Sequence, residues 1–448
     1  MKTPALIAFA VLLPATINAA DNPAAAVMPE VENARRNGLD WTIFARVLHS
    51  DNISESNGVK RSGTYPEAGL QLAFDHSRDW LTATAAADIA YSGLLREAFL
   101  GNTVPNYFSG NATAYVNAAV VPEHFEWEAT EGYGSGQIAL GAPNAPSNRQ
   151  SANVFSTGPI VYLPLGTRTR LQLFASAYSN QYGTSVGDGT GLRAGAKLSR
   201  RIHRNTTVAI SAEDNRIKYS GDAAVREFTI RSASLDWAYT YSRGDLAMSY
   251  GTNELQAVTQ LRRDPLFRLT FSRLLTARAR TSISVGHQIS NSGQVFQENL
   301  SFFGVSSSLA ADRGVAEPFA VDYVYNNWTF GDSHQSAGLQ LRGRREKFVI
   351  NSQLDASEYG AYAQFSRSLT GRVRISLGAG YGLTEFGSNL PTGHDRTLSG
   401  SLGYVLHPGL VLTLGAARLA GDNRTLSGGT YLENRVSATL AYTRGTRQ

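Results

Sequence analysis

The sequence predicts an all-β fold, a transmembrane antiparallel up-and-down β-barrel of about 18–20 strands with short periplasmic turns and longer extracellular loops. The first observation is that apolar and small polar residues alternate with a period of two along nearly the whole chain. The second is that short turn signals alternate with long polar stretches. The third is that no apolar run after the N-terminus approaches the roughly 18 residues of a membrane helix. Alternation alone also fits a soluble β-sandwich, so the connections decide between the two architectures.

The strand pattern identifies the predicted first and last strands of the barrel. In the stretch 435–442, Val436, Ala438, Leu440 and Tyr442 share one face and small polar residues share the other. We expect this to be the last strand, with the apolar face towards lipid, and to pair with a first strand at 38–50. The main alternative to 20 strands is 18, because single-chain bacterial barrels have even strand numbers.

Two segments fit the strand pattern less well than the others. Pro159, in the segment 153–163, lacks an N–H group, which predicts a bulge there. The segment 290–318 shows little alternation and reads as a long loop.

Turn-forming residues divide the predicted connections into two classes. The short class is at 76–79, 122–123, 164–166, 203–205, 243–245, 369–371 and 407–409. The long class is at 51–66, 93–110, 135–151, 252–264, 290–318, 386–395 and 421–430. Aromatic residues near the short class predict an interfacial girdle, formed by Trp41, Trp80, Trp237, Tyr239, Tyr241, Tyr404 and Tyr442.

The N-terminus predicts export. Lys2 precedes the apolar stretch 5–13, and small residues follow up to Ala20, as in a Sec signal peptide. We therefore divide the chain into a signal peptide at 1–19, a short periplasmic segment at 20–37 and an outer-membrane barrel at 38–448. The expected location is the outer membrane of a Gram-negative bacterium, and the segment 20–37 is too short for a periplasmic domain.

Composition narrows the classes of function. The 448 residues include no cysteine, which excludes disulfides, thiol nucleophiles and thiolate metal sites. Charged residues make up 17 %, below the roughly 25 % of an average soluble domain. The formal net charge of +5 is small for this length and does not indicate a nucleic-acid partner.

No motif predicts catalysis, a metal site or a cofactor. Residues 183–187 match G-x-S-x-G, but they lie between two strand patterns, whereas the nucleophile motif needs a strand–elbow–helix setting. The eight histidines are scattered, and none forms a close metal-binding pair. Asp51 and Asn52 look like a fragment of a calcium loop, but we prefer to interpret them as a loop cap.

The alternation assigns charged side chains to a water-filled lumen. A candidate basic wall, expected to converge when the last strand meets the first, consists of Arg46, Arg342, Arg344, Arg374 and Arg435. The other predicted lumen charges are Arg170, Arg193, Lys197, Arg268, Asp88, Glu126, Glu128, Glu213, Asp236 and Asp322. Such a wall would orient polar or anionic solutes, although solvated ion pairs without selectivity explain the same pattern.

Three stretches carry a family resemblance. They are "ARVLHSDNI" at 45–53, "NVFSTGPIVYLPLGTRTRLQL" at 153–173 and "YLENRVSATLAY" at 431–442. Together they resemble the outer-membrane β-barrel porins that accompany exopolysaccharide secretion and exosortase systems. The resemblance implies an exit pore for a polysaccharide, anionic in many cases, that works with a periplasmic polysaccharide export protein. Many barrels end in a terminal Phe, whereas this chain continues from Tyr442 to Gln448.

Four functions remain open from the sequence. A conduit for exopolysaccharide is the first, and a general diffusion porin for small polar or anionic solutes is the second. A structural or adhesive barrel is the third, and an outer-membrane enzyme the fourth, although no site supports it. A diffusion porin would conduct alone, whereas a conduit would be required for surface polysaccharide.

Overall fold

The computed structural model describes residues 38–52, 60, 62–93, 107–137, 149–183, 188–220, 227–257, 260–291, 294, 317–387, 392–423 and 429–445. The predicted signal peptide and the segment 20–37 lie outside the described residues. A short 3-10 turn, Ser352–Leu354, lies in one of the connections.

Twenty β-strands make up almost all of the described chain. In the first half they are β1 Gly38–Ser50, β2 Gly63–Arg78, β3 Leu81–Ser92, β4 Tyr107–Val121, β5 Phe125–Gln137, β6 Arg149–Pro164, β7 Thr169–Tyr182, β8 Gly189–His203, β9 Thr206–Tyr219 and β10 Glu227–Tyr241. In the second half they are β11 Gly244–Ala257, β12 Leu261–Thr276, β13 Ala279–Ser290, β14 Phe319–Gly331, β15 Gln335–Phe348, β16 Ala356–Ser368, β17 Val373–Phe386, β18 Gly393–His407, β19 Leu410–Asn423 and β20 Gly429–Gly445.

The strands form one closed antiparallel barrel. Each strand pairs with its neighbours in the chain, and β1 pairs with β20, so the sheet has no free edge. At the closure Ile43 lies opposite Tyr442 and Val47 opposite Ala438. The predicted fold, the count of twenty strands and the pairing of the last strand with the first are confirmed.

The two faces of the sheet differ as the period of two predicts. On β17, Leu377 is 56 % exposed on the outer face, whereas the adjacent Ser376 is 8 % exposed on the inner face. On β1, Ile43 and Val47 are exposed outside, while Thr42 and Arg46 are buried inside. Because a one-residue slip would exchange the two faces, this contrast fixes the register of each strand.

The short connections lie at the end of the barrel that holds the start of β1 and the end of β20. The predicted short turns all fall at this end. Two further short turns, at 277–278 and 332–334, were not predicted; the first has no Gly or Pro that marks it, whereas Gly331 directly precedes the second.

One predicted loop is wrong. The segment 252–264 is mostly strand, since β11 continues to Ala257 and β12 begins at Leu261. Its charged residues suggested a loop. They lie instead at the ends of β11 and β12 away from the short turns, where polar side chains occupy the outer face of the barrel. The barrel wall is therefore taller here than the lipid-facing alternation indicates.

The bulge predicted at Pro159 is also wrong. Pro159 pairs with Trp127 of β5 in an unbroken register, and the pairs of β6 with β7 on either side of it keep the same register. The β6–β7 pairs at Gly158 and Pro159 are missing from the ladder, and the β7 backbone comes close at Gly158, where a Cβ would overlap the carbonyl oxygen of Ala175. Glycine at that position is therefore a packing requirement.

An aromatic girdle surrounds the short-turn end. On β10 the rings of Trp237, Tyr239 and Tyr241 stack in series. At the closure the ring of Trp41 lies 5.7 Å from that of Tyr442. Amphipathic rings at this level are typical of a membrane–water interface.

The barrel lumen as candidate functional site

The outer face of the barrel is the lipid-facing surface of a transmembrane barrel. Large apolar side chains are exposed around the whole circumference, among them Leu192, Ile210, Leu235, Leu398 and Leu414. A soluble protein would rarely expose so extensive an apolar surface. Among the described residues, no helix is long and apolar enough to cross a membrane.

The register places nearly all of the predicted lumen charges on the inner face. They are Arg46, Arg170, Arg193, Lys197, Arg268, Arg342, Arg344, Arg374, Arg435, Asp88, Glu126, Glu128, Glu213 and Asp236. Here they line the interior together with Ser, Thr, Asn and Gln side chains, so the wall is polar through most of its height.

Asp322 is the exception, and its predicted lumen position is wrong. It lies on the outer face of β14, on the same side as Val324 and Trp328. It pairs there with His287 of β13, whose Nδ1 lies 2.6 Å from a carboxylate oxygen of Asp322. The alternation misled because Asp322 is close to the upper end of its strand, where the outer face becomes polar.

The five arginines of the predicted basic wall do not form one surface. Arg342 and Arg344 lie in the far half of β15, whereas Arg374 lies at the short-turn end of β17. Arg46 and Arg435 lie at the closure, separated from β15 by the strands β16–β19. Sequence order suggested proximity, but the height of a residue in the wall depends on its place along its own strand.

Carboxylates neutralise four of these arginines. Arg46 pairs with Glu67, and Arg342 with Glu358. Arg344 pairs with Glu346, and Arg435 with Glu433 at 2.7 Å. Buried charges need such partners because their desolvation is costly. The wall is therefore of mixed sign.

Two polar networks hold the closure of the barrel from the inside. Glu67 of β2 accepts hydrogen bonds from Arg46 of β1 and from the Ser92 hydroxyl of β3, at 2.7 Å for the hydroxyl. Nearer the long-loop end, Glu433 accepts a hydrogen bond from the Ser50 hydroxyl. Both glutamates are buried, so these networks tie β1 to its neighbours on either side.

Asp51 acts as the predicted loop cap. Its carboxylate accepts hydrogen bonds from the backbone N–H and the side-chain amide of Asn434, both at 2.7 Å. Burial raises the pKa of Asp51, whereas the two hydrogen bonds from Asn434 and the charge of Lys60 lower it, and the net pKa lies below its ordinary value. Within the described part of the chain, no group of His, Asp and Glu side chains could hold a metal ion.

The wall from β5 to β9 combines ion pairs with aromatic rings. The guanidinium of Arg170 lies 3.5 Å from the ring centre of Tyr162, whose hydroxyl donates to Glu126 at 3.1 Å. Higher up, Arg193 pairs with Glu213 at 2.7 Å. These contacts place aromatic surface beside charged groups on the lumen side.

Aromatic rings on β7 lie across glycines of β8. A Cβ at Gly191 would overlap the ring of Tyr178, and one at Gly195 would overlap the ring of Phe174. The rings therefore lie along the wall instead of projecting from it. The predicted lumen residues did not include these rings, although Phe174 and Tyr178 share the strand face of Arg170 on β7; the register adds that each ring lies beside a glycine of the neighbouring strand.

At the long-loop end of β9–β11 the pattern of the two faces inverts. Apolar side chains of these strands now face inwards, and Ile217, Tyr219, Phe228, Ile230 and Leu255 pack with Ile289 of β13 as one buried cluster. Charged side chains face outwards, beginning with Asp214 on β9 and Arg231 on β10. Apolar-in and polar-out is the pattern of a protein in water. The inversion marks the height at which the wall leaves the membrane.

The G-x-S-x-G match lies at the same end. Gly183 follows β7 directly, whereas residues 184–187 lie outside the described residues.

No protein-family model matches the chain, and no curated protein matches it. Solved structures similar to it include the siderophore receptor PirA from Pseudomonas aeruginosa, at 11 % identity and a TM-score of 0.42, covering 92 % of this chain and 81 % of that one. The siderophore receptor PirA from Acinetobacter baumannii is similar at 8 % identity and a TM-score of 0.45, with the same coverage. OpdK from Pseudomonas aeruginosa is similar at 12 % identity and a TM-score of 0.37, covering 91 % of this chain and 98 % of that one. No function follows from likenesses at this level.

Proposed function

We propose that the chain forms a pore for polar solutes in the outer membrane of a Gram-negative bacterium. The observation that carries this proposal is the opposite chemistry of the two faces: an apolar outer band and an inner wall of ion pairs and hydroxyls. A charged inner wall is stable only where water or a polar guest solvates it. A barrel of twenty strands is wide enough for such an aqueous interior.

The finer proposal is a conduit for exopolysaccharide, supported by the family resemblance and by the wall from β5 to β9. Tyr162, Phe174 and Tyr178 offer ring faces, while Arg170 and Glu126 offer hydrogen-bonding groups next to them. A sugar ring has apolar C–H faces and hydroxyl edges, so it suits such a mixed surface. Because most wall arginines are paired with carboxylates, the wall does not single out an acidic polymer.

A periplasmic polysaccharide export protein is the partner that this proposal needs. The short turns, the start of β1 and the end of β20 all lie at one end of the barrel, which the topology of such barrels assigns to the periplasm. Short turns leave the lumen open to a docked partner at that side. A cytoplasmic or nucleic-acid partner has no support in the chain.

A general diffusion porin is the second candidate, and the mixed sign of the inner wall favours it. Ion pairs such as Lys197 with Asp236, at 3.2 Å, line the water without selecting one charge. Such a pore would conduct alone and would be dispensable for surface polysaccharide.

Deletion of the gene with measurement of surface polysaccharide distinguishes the two candidates. A conduit predicts loss of the surface polymer and its accumulation in the periplasm, restored by the wild-type gene. Normal surface polymer, together with slower uptake of small polar solutes, would instead establish the diffusion porin. Recovery of the protein in the soluble periplasmic fraction would contradict both.

A further inference from the structure

The outer face carries a row of charged side chains on four neighbouring strands. The row consists of Asp214 and Arg216 on β9, Arg231 on β10, Glu254 on β11 and Arg263 on β12. Arg231 lies directly opposite both Asp214 and Glu254, and Glu254 lies opposite Arg263, so most of the row is at one height. On the described parts of β7 and β8, by contrast, the outer face has no charge above Arg200.

The height of the row places it at the outer head-group level of the membrane. Arg231 is ten residues above Tyr241, the lowest aromatic residue of the girdle on β10. Ten residues at about 3.3 Å each, tilted by roughly 40°, span about 25 Å, which is the height of a barrel's apolar band. The inverted alternation at the same height leads to the same assignment. The charges are therefore beside lipid head groups and not beside acyl chains.

Within the row, each carboxylate forms ion pairs with two arginines, and the arginine side chains are more exposed than the carboxylates. Asp214 lies 2.9 Å from Nε of Arg216 and 3.1 Å from Nε of Arg231. Glu254 lies 2.7 Å from Nε of Arg263 and 3.7 Å from Nη1 of Arg231. The carboxylates are 34 % and 23 % exposed, whereas the guanidinium side chains are 50–71 % exposed. Since a guanidinium has five N–H donors, each arginine keeps donors for an external anion.

The outer surface below the charged row is apolar and can contact the acyl chains of a lipid whose head group lies at the row. Directly beneath is a row of small side chains at one height, formed by Ala212, Ala233, Thr252 and Pro265. Beneath that is a row of large apolar side chains, Ile210, Leu235, Tyr250 and Phe267, of which the first three are exposed. Ile210 and Tyr250 are each 63 % exposed. The small residues form a recess between a cationic surface and an apolar one.

We propose that this face binds the phosphorylated glycolipid of the outer leaflet, with its phosphates on Arg216, Arg231 and Arg263 and its acyl chains on the apolar row. Arginine suits phosphate because its planar group donates two parallel hydrogen bonds. The outer leaflet of the Gram-negative outer membrane is rich in such a lipid, lipid A with its attached sugars. The proposal concerns the outer face and requires only the membrane location, not a particular solute in the lumen.

The test is native mass spectrometry of the purified full-length protein titrated with lipid A and, separately, with dephosphorylated lipid A. We expect the variant Arg216→Gln, Arg231→Gln, Arg263→Gln to bind lipid A at least tenfold more weakly than wild type. A matched control, Arg200→Gln with Arg273→Gln, changes outward basic residues at the short-turn end and should bind within twofold of wild type. Wild type should prefer the phosphorylated lipid.

A second variant separates arginine–phosphate contact from a general effect of the charged row. Asp214→Asn with Glu254→Gln keeps all three arginines and should bind lipid A as well as wild type or better. A loss equal to that of the arginine variant would overturn the proposal. Equal binding of both lipids, or a change in oligomeric state without a change in lipid binding, would overturn it too; the latter would assign the face to a second copy of the chain. Unchanged single-channel conductance shows that each variant is folded and leaves the pore proposal untouched.

Discussion

At the scale of single residues, the direction of a side chain decides what a substitution costs. Leu377 and Ser376 are adjacent in the chain but face lipid and lumen respectively. Leu377 lies near the middle of the apolar stretch of β17, between the outward Val373 and Tyr381. A charge at that depth meets hydrocarbon, while the same charge one residue away meets water.

We expect Leu377→Arg to destabilise the barrel by about 2–4 kcal/mol and Ser376→Arg to have a much smaller effect. Leu269→Arg and Thr270→Arg on β12 form an independent pair with the same expectation, because Leu269 faces outwards and Thr270 inwards. The folded fraction is read from heat-modifiable migration after insertion into vesicles. Equal tolerance within both pairs would show that the assignment of faces is inverted.

The sequence was most informative at this scale. The faces of β1, β8, β17 and β20 follow from alternation because lipid and water impose opposite chemistry on adjacent residues. The prediction was wrong for Asp322, which lies above the lipid, where that contrast no longer operates. The prediction also left out the rings of Phe174 and Tyr178, because it considered only charged side chains on the inner face of β7.

At the scale of elements, the closure of the barrel depends on side chains that adjacent strands share. Arg46 of β1 is buried with Glu67 of β2, and Ser92 of β3 completes that pair. By contrast, the pair of Arg193 on β8 with Glu213 on β9 is substantially exposed in the lumen. The two ion pairs look alike in the sequence but differ in burial.

We expect Glu67→Ala to destabilise the barrel by about 3–5 kcal/mol, because it leaves the buried Arg46 without its carboxylate. Glu213→Ala should cost about 0–1 kcal/mol, because water screens an exposed pair. Urea unfolding of the protein in vesicles, followed by tryptophan fluorescence, measures both. A cost for Glu67→Ala no larger than that for Glu213→Ala would mean that the closure does not depend on this pair.

At the scale of elements, the wrong predictions arose because the sequence pattern does not give the position of a residue along the barrel axis. The sequence predicted a loop at 252–264 because Glu254, Arg263 and their neighbours are charged. They are instead the ends of two strands that rise beyond the apolar band of the outer face and carry charge on that face. The basic wall failed for a related reason: five inward arginines were assigned to one surface although they occupy different heights and strands.

At the scale of the whole molecule, one repeated physical contrast produces both fold and function. Twenty strands with apolar residues outside and polar residues inside can satisfy their backbone hydrogen bonds in lipid only by closing on themselves. Closure then encloses polar side chains, which need water. A pore follows from the same pattern that specifies the barrel, whereas the solute depends on details of the wall that alternation does not encode.

The absence of cysteine makes this central claim directly testable. Lys197→Cys and Leu198→Cys each introduce a single thiol, the first on the inner face of β8 and the second on the outer face. The measurement is single-channel conductance in a planar bilayer before and after addition of a bulky, charged thiol reagent. We predict that both variants conduct, that the reagent lowers the conductance of Lys197→Cys, and that it leaves Leu198→Cys unchanged. Absence of conducting channels, or a block of Leu198→Cys without a block of Lys197→Cys, would contradict a polar pore inside a lipid-facing barrel.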